Sequence, residues 1–578
     1  MKEVIIISGE TVGFLSIIPP LLAIILAMYT REVLISLFAG VWSAALIISS
    51  WNPVSATSLS LQWIVNTVND PWNAKFLILI MLMGAGAALI YKSGSVTALE
   101  NWMGNAVKTS RDSQILTWLI GMFIFIDSYT STIVTGNATR DVSMKNKTSR
   151  EAHSYILDST TAPVTTFGPV SNWIGYQVSM IAAGFAAAGI TAEQIGVTPY
   201  AVFLRSIPWN FYCLLAFFMV GFVAITQRYY GPMLDAEWRA RKEGKLMKDG
   251  AEALSDISTD VGEQSQKNPK LINFFLPIIS LLVVSVFSMW WLGEGYRAGV
   301  GIAQAFQETD IALALLYGSF AFVFFALLGS LYYKTMSLSE ASDAVIDGFK
   351  TMVIAAAIII LAWTIGYATD QVGTAEYVVN ILMNIGLPGR ALPIIIFLAA
   401  MFISFTTGTS WGTMAILTPI AVSTGYELVG FSIVPVLMGI LFGGAIFGDH
   451  VSPISDTTVM SSIFAGSDHI DHVSSQIPYA LTAAGVTIFT LVLYALGINS
   501  AALLLAIAFG LTIAAVIVFN KYDAKRKNLP EVMPTVDEIK AGKTSGTKLK
   551  LFNKIAAAAS AFYFVYMLSI FIFANLAS

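Results

Sequence analysis

The sequence predicts an all-α polytopic membrane protein of about 12 transmembrane spans. The spans form an inverted repeat, five of them plus a re-entrant hairpin in each half, with discontinuous helices. Three observations predict it. The 578 residues are 56% hydrophobic and 12% charged, with a mean hydropathy of +0.72, too apolar for a soluble chain of this length. Apolar runs such as 272–292, 311–333 and 555–576 each hold about 20 residues or more, enough to cross a hydrocarbon core about 30 Å thick. Lysine and arginine, finally, segregate to one side.

In order, the apolar segments place spans near 13–29, 33–50, 76–92, 153–180, 207–226, 272–292, 311–333, 351–369, 431–463, 477–497, 501–519 and 555–576. The first is one of many such segments, which makes it a span rather than a cleaved signal. The loops 227–270 and 521–553 are rich in lysine or arginine and are cytoplasmic by the positive-inside rule, in a cell (inner) membrane. The stretch 114–139 has basic residues at both ends, Lys108 and Arg111 before it and Arg140, Lys145, Lys147 and Arg150 after it. It therefore enters and returns as a re-entrant hairpin with Asp127-Ser128-Tyr129-Thr130-Ser131-Thr132 at its tip. The stretch 391–424 reads as a second hairpin from the opposite side, with Thr406-Thr407-Gly408-Thr409-Ser410 at its tip. With this topology every Lys and Arg falls inside except Lys2, Lys75, Arg205, Arg297 and Arg390.

The halves also match in register. Gly94 precedes Asp127 as Gly373 precedes Thr406, and the same offset aligns Thr130-Ser131 with Thr409-Ser410. The chain divides accordingly. A first repeat covers 1–226, with its hairpin near 114–139 and a broken helix near 153–180. A charged cytoplasmic loop covers 227–270. A second, inverted repeat covers 271–497, with its hairpin near 391–424 and a broken helix near 431–463. Extra C-terminal spans occupy 498–578.

The chemistry concentrates at the two interruptions, Asp158-Ser159-Thr160-Thr161-Ala162-Pro163 and Gly448 to Thr458. Proline removes a backbone donor and glycine permits non-helical dihedrals. Carbonyls freed this way are tolerated at membrane depth only where they line a protein-enclosed or watery cavity. With hydroxyls and carboxylates they make oxygen ligands suited to a small, hard cation. Asp127, Asp158, Asp449 and Asp456 lie at apparent membrane depth without a lysine or arginine near the midplane. Each centrally placed aspartate costs about 2.5–3.5 kcal/mol on insertion scales, so it must bind a proton, bind a cation or face water.

The candidate substrate and cation ligands are Asp127, Ser128, Thr130, Ser131, Asp158, Ser159, Thr160, Thr161, Asn172, Thr406, Thr407, Thr409, Ser410, Asp449, Ser452, Ser455, Asp456, Thr457 and Thr458. Sodium is assigned to Asp158, Thr160, Asp456 and Thr458, and proton coupling to Asp158, Asp456, Asp449 and His450. Blander readings stand beside these. Asp158 and Asp456 can cap the following half-helix, and the hydroxyls can bond back to their own helix carbonyls. His153 reads as an interfacial residue, and His469 and His472 with Asp468 and Asp471 as a solvated turn.

Several function classes have no support. Gly408-Thr409-Ser410-Trp411-Gly412 fits a nucleophile-elbow pattern but has no strand context. No phosphate loop, HExxH or dinucleotide fingerprint appears, and the single Cys213 sits in an apolar run. The expectation is a non-enzyme without cofactor and without a nucleic-acid partner.

The run Phe447 to Ser461, FGDHVSPISDTTVMS, resembles the signature of the NhaC family of sodium/proton antiporters. Ser149-Arg150-Glu151 and Ile156 to Val164 are similar to the matching first-half segment. The resemblance spans roughly 75–500. It implies secondary transport with two re-entrant hairpins, elevator-like alternating access and a homodimer. The family includes malate/lactate exchangers, so exchange of Na+ against H+ stands beside cation-coupled movement of a small organic acid or amino acid. A non-transporting membrane sensor is the third reading, which leaves the paired interruptions unexplained.

Overall fold

The structure, a computed structural model, describes residues 12–546 other than 31, 96–97, 99–106, 126–127, 169–170, 192–194, 255–264, 266, 300–304, 306–308, 375–376, 378–388 and 544. Asp127 and the span expected at 555–576 lie outside the described residues. The described chain is all-α. Nine of its helices are long and apolar enough to cross a membrane. A tenth span arises if Pro199–Trp209 and Phe211–Thr226, bent by 49°, are taken together.

Both hairpins form. The first has arms Ser110–Phe123 and Ser128–Lys145, and its two ends meet where the Ser110 and Ser113 hydroxyls each lie 2.8 Å from that of Thr148. The second has arms Leu392–Thr407 and Ser410–Val429, joined through left-handed Gly408. Its ends also meet, because a Cβ on Gly389 would lie 2.6 Å from a Val429 methyl. Gly408 to Gly412 is thus a helix end and a helix start, not a strand-to-helix elbow.

The matched glycines have a local cause. Gly94 follows Pro71–Lys92 with φ +73°, and Gly373 follows Val353–Gln371 with φ +70°. Each ends its helix in the left-handed conformation that glycine adopts without strain. The two halves therefore end these matched helices in the same way.

Among the helices not read as such from the sequence, three bear on the packing. Pro53–Asn69 fills the expected outer loop, capped by Asn52, and Leu338–Thr351 precedes the span at 353–371 behind a Ser337/Glu340 capping box. Pro232–Lys242 occupies the charged loop and is half-buried rather than solvated. Its Glu237 and Arg241 are both buried and paired at 2.5 Å. Glu237 also accepts from the Ser149 amide at 2.8 Å and from the Gln114 side chain at 3.2 Å. Arg241 reaches the Pro534 carbonyl at 3.1 Å. One ion pair thus ties the first hairpin, the start of the first broken helix and the C-terminal segment together.

Other ion pairs join segments assigned to the same side. Arg239 pairs with Glu151 at 2.7 Å and Lys527 with Asp235 at 2.6 Å, while Lys248 pairs with Asp471. On the other side, Lys75 pairs with Asp310.

The apolar core comes in two large clusters and a small one around Ile115 and Ala224. Of the large ones, one gathers Phe203, Tyr212, Phe397, Leu437 and Tyr479; the other gathers Leu37, Phe76, Phe322, Ile359 and Met460. The two halves of the second broken helix fall in different clusters.

Breaking one side of a buried ion pair leaves an uncompensated charge, costing about 3–5 kcal/mol. Glu237→Ala is therefore expected to lower the thermal unfolding midpoint of the purified protein strongly. Asp249→Ala, at the exposed Lys245–Asp249 pair, should leave it unchanged.

Candidate cation-binding site

The first broken helix starts at Arg150–Ser159, where the Ser149 hydroxyl caps the Ala152 amide, and resumes at Ala162–Phe167. Pro163 offers no N–H to the Ser159 carbonyl, so the regular ladder stops there. The second runs Val434–Val451, pauses at 452–455 and resumes at Asp456–Ala465. Pro453 cannot donate to the Asp449 carbonyl, and that carbonyl lies 3.0 Å from the Thr458 hydroxyl instead. The second half-helix packs against the first broken helix and the exit arm of the first hairpin. Its end is held by Arg150, which donates to the Ala465 carbonyl at 2.6 Å.

Asp158 is 1% exposed. It accepts from Gln476 Nε2 at 2.6 Å and from the Ser461 hydroxyl at 3.1 Å, and the Thr458 hydroxyl lies 3.3 Å away. The Thr458 hydroxyl has one proton for two acceptors, Asp158 and the Asp449 carbonyl, and so links the carboxylate of one broken helix to the backbone of the other. Asp449 is also buried. It accepts from Ser455 at 2.5 Å and from Ser410, at the tip of the second hairpin, at 3.2 Å. Asp456 is half-buried and accepts from the Tyr129 phenol at 2.7 Å and the Trp363 indole at 3.1 Å. Among the described residues, no lysine or arginine pairs with any of these three carboxylates.

Histidines approach Asp158, of which the sequence offered His450 for proton coupling but not His472. His450 Nε2 is 3.7 Å and His472 Nε2 4.0 Å from Asp158 Oδ2. His450 is held by Ser159 and Tyr212, each at 2.8 Å. His469 and His472 are buried at the start of His469–Ala495, both within 2.9 Å of the Ser462 hydroxyl. The expected solvated turn is therefore corrected: Asp468 caps this helix and the histidines face inward. His153 is likewise buried rather than interfacial, 2.9 Å from the Thr139 hydroxyl.

The expected ligands divide. Ser159, Ser410, Ser455, Thr457 and Thr458 join the network around the carboxylates or His450, with Thr457 3.1 Å from Ser455. Thr160 does not: its hydroxyl bonds back to the Ile156 carbonyl at 2.7 Å, away from Asp158. Thr161, Thr406 and Thr407 also bond back to their own helices, Thr409 caps Gly412, and Ser452 donates to the Phe405 carbonyl. Capping of the second half-helix belongs to Ser455 rather than Asp456, and Asp158 caps nothing, since Thr161 precedes Ala162–Phe167. Asn172 opens Asn172–Ala187 and Thr130 lies in the exit arm, but their side chains are not among those described.

Ser128 and Ser131 behave differently again. Their buried hydroxyls, with that of Thr135, have no hydrogen-bond partner among the described residues. Spaced i, i+3 and i+7, they share one face of the exit arm. Buried hydroxyls are normally paired, so this face offers oxygens to water or to a cation. Among the described residues no three His, Cys, Asp or Glu side chains gather closely enough to hold a metal ion alone. A cation here needs hydroxyl and carbonyl oxygens as well.

A family model described as the Na+/H+ antiporter family matches residues 164–496, which include the second hairpin and the whole second broken helix. The chain belongs to that family. A Haemophilus influenzae protein is 34% identical over 480 residues, covering 82% of this chain and 89% of its own. The malate-2H+/Na+-lactate antiporter of Bacillus subtilis is 36% identical over 108 residues, 17% of this chain and 22% of that one. A Haemophilus influenzae protein described as a Na+/H+ antiporter is 26% identical over 211 residues, 36% of this chain and 39% of that one. Membership makes the chain a transporter by family and a multi-pass membrane protein.

Removing a donor from a buried carboxylate costs about 1–3 kcal/mol, whereas deleting an unpartnered hydroxyl is close to neutral. Ser461→Ala is expected to lower the unfolding midpoint, and Thr135→Val to leave it within error, when both are measured by thermal denaturation.

Proposed function

We propose that the protein is a secondary active transporter that exchanges Na+ against H+ at the meeting point of its two broken helices, in the cell membrane. The observation that carries this reading is the link from Asp158 through the Thr458 hydroxyl to Asp449, buried and without a lysine or arginine partner. A buried carboxylate in that setting is stable when protonated or when a cation neutralises it, and costly when bare. Proton and sodium ion therefore compete for one place, which is the elementary requirement of exchange. The Na+ ligands proposed are Asp158, Thr458 and the Asp449 carbonyl. Asp456 is an approach site and the bare hydroxyls of Ser128, Ser131 and Thr135 are part of the route.

Alternation follows from the same placement. The first half of the second broken helix packs with one apolar cluster and the second half with the other. A shift between the clusters would open the break first to one side and then to the other, in the manner that inverted repeats permit. The division at 1–226 and 271–497 and a homodimer belong to this proposal. A second reading, exchange of small organic acids, is supported by the local similarity to the malate-2H+/Na+-lactate antiporter.

In proteoliposomes with an entrapped pH indicator, an inward Na+ gradient is expected to drive protons out. Asp158→Asn should reduce the rate at least about a hundredfold, since it removes the group that exchanges. Malate or lactate counterflow without any Na+-driven proton movement would replace the first reading by the second.

A further inference from the structure

Asp456 keeps company unlike that of the other carboxylates. The two side chains that donate to it, Tyr129 and Trp363, belong to a box of four rings from three helices. Phe76 lies edge-on to Tyr129 at 4.5 Å and to Trp363 at 5.8 Å. Trp72 stacks on Phe76 at 5.3 Å and lies 5.9 Å from Tyr129 and 6.0 Å from Trp363. Trp72 occupies the first turn of Pro71–Lys92 and is 38% exposed, and Asp456 is half-buried, whereas Asp158 and Asp449 are enclosed.

An interfacial tryptophan alone is ordinary in a membrane protein. Phe76 is fully buried, however, and both Tyr129 and Trp363 point their polar tips at one carboxylate. A sodium ion draws little from this surround, since it seeks oxygen ligands. An ammonium bearing apolar groups draws on the three partly exposed rings, Trp72, Tyr129 and Trp363, because ring faces attract its charge and ring surfaces bury its substituents, while Phe76 packs behind them. Asp456 Oδ2 already accepts two hydrogen bonds, so a cation without N–H donors forgoes nothing there.

We propose that Asp456, Trp72, Tyr129 and Trp363, backed by the buried Phe76, form a binding site for an alkyl-substituted ammonium ion on the route to the buried carboxylates. The proposal rests on the reading that Asp456 lies on that route, and it adds an organic cation to the solutes the protein handles.

The test uses the full chain in nanodiscs, without sodium, and tritiated choline as probe in a scintillation-proximity assay. Saturable binding is expected, displaced by tetramethylammonium but not by 3,3-dimethylbutan-1-ol, which has the shape of choline without its charge. Trp72→Leu should weaken binding at least about tenfold and Trp72→Phe should restore most of it, as an aromatic requirement demands. Absence of saturable binding to the wild type, or equal displacement by the neutral alcohol, overturns the proposal without any variant. So does unaltered binding in both Trp72→Leu and Trp363→Leu. Na+-driven proton movement measured on the same preparation separates the two readings. Exchange without choline binding removes only the ammonium site, and choline binding without exchange removes only the antiport assignment.

Discussion

Carboxylates buried where no lysine or arginine reaches them set the terms for the rest of this structure. Asp158 and Asp449 each sit among hydroxyl and amide donors supplied by distant parts of the chain. Gln476 comes from a long helix, Ser461 and Thr458 from the second half-helix, and Ser410 from the tip of the second hairpin. Such donors soften the cost of a buried charge without neutralising it. A salt bridge would have fixed the charge permanently and closed the site to a transported cation. Neutral donors leave it to be completed by something that can leave again.

The breaks in the helices serve the same end. Pro163 and Pro453 each remove the amide that would have tied up a carbonyl one turn earlier, and in the second helix the freed Asp449 carbonyl turns to Thr458. An intact helix would have presented side chains alone. Broken, it presents backbone oxygen, hydroxyl and carboxylate within one turn. The opened ends are then held from outside. Arg150 donates to the Ala465 carbonyl, and Glu237 accepts from the Ser149 amide at the start of the other broken helix. Positive charge is therefore present in the assembly, but it is spent at helix termini away from the site.

Much of this was legible in the sequence because it depends on local chemistry. Runs of apolar residues marked the spans, and the flanking charges of 114–139 suggested a turn back within that stretch, where the structure has two packed helical arms whose ends meet at the Ser110–Thr148 contact. Gly94 and Gly373 matched in register because each must adopt a left-handed helix end. Proline and paired Ser/Thr marked the breaks. What stayed hidden is tertiary. Nothing in a sequence says which face of a helix Thr160 turns to, and it turns from Asp158. His469 and His472 sit beside two aspartates in a short polar stretch, which reads as solvated until the fold buries it. Gln476 was the available signal that went unread, an uncharged polar side chain at the edge of an apolar span, two residues before Pro478.

The three carboxylates also differ in access, and in the proposed exchange that difference orders them along a path. Asp456 begins a half-helix that packs with the Phe76 and Ile359 side of the core, and it is the one of the three with surface left open. Asp158 and Asp449 lie deeper, joined through Thr458 across the gap between the broken helices. An ion arriving at Asp456 meets aromatic walls and a carboxylate already holding two hydrogen bonds, so it is bound by charge and not caged by donors. Two residues further along the same half-helix it meets a hydroxyl that can give its proton to either of two oxygens. The half-helix from Asp456 to Ala465 thus carries the proposed approach group and the proposed inner ligand on one rigid piece. Moving that piece against its neighbour changes both at once, which is how a short element can couple arrival of a cation to its release on the other side.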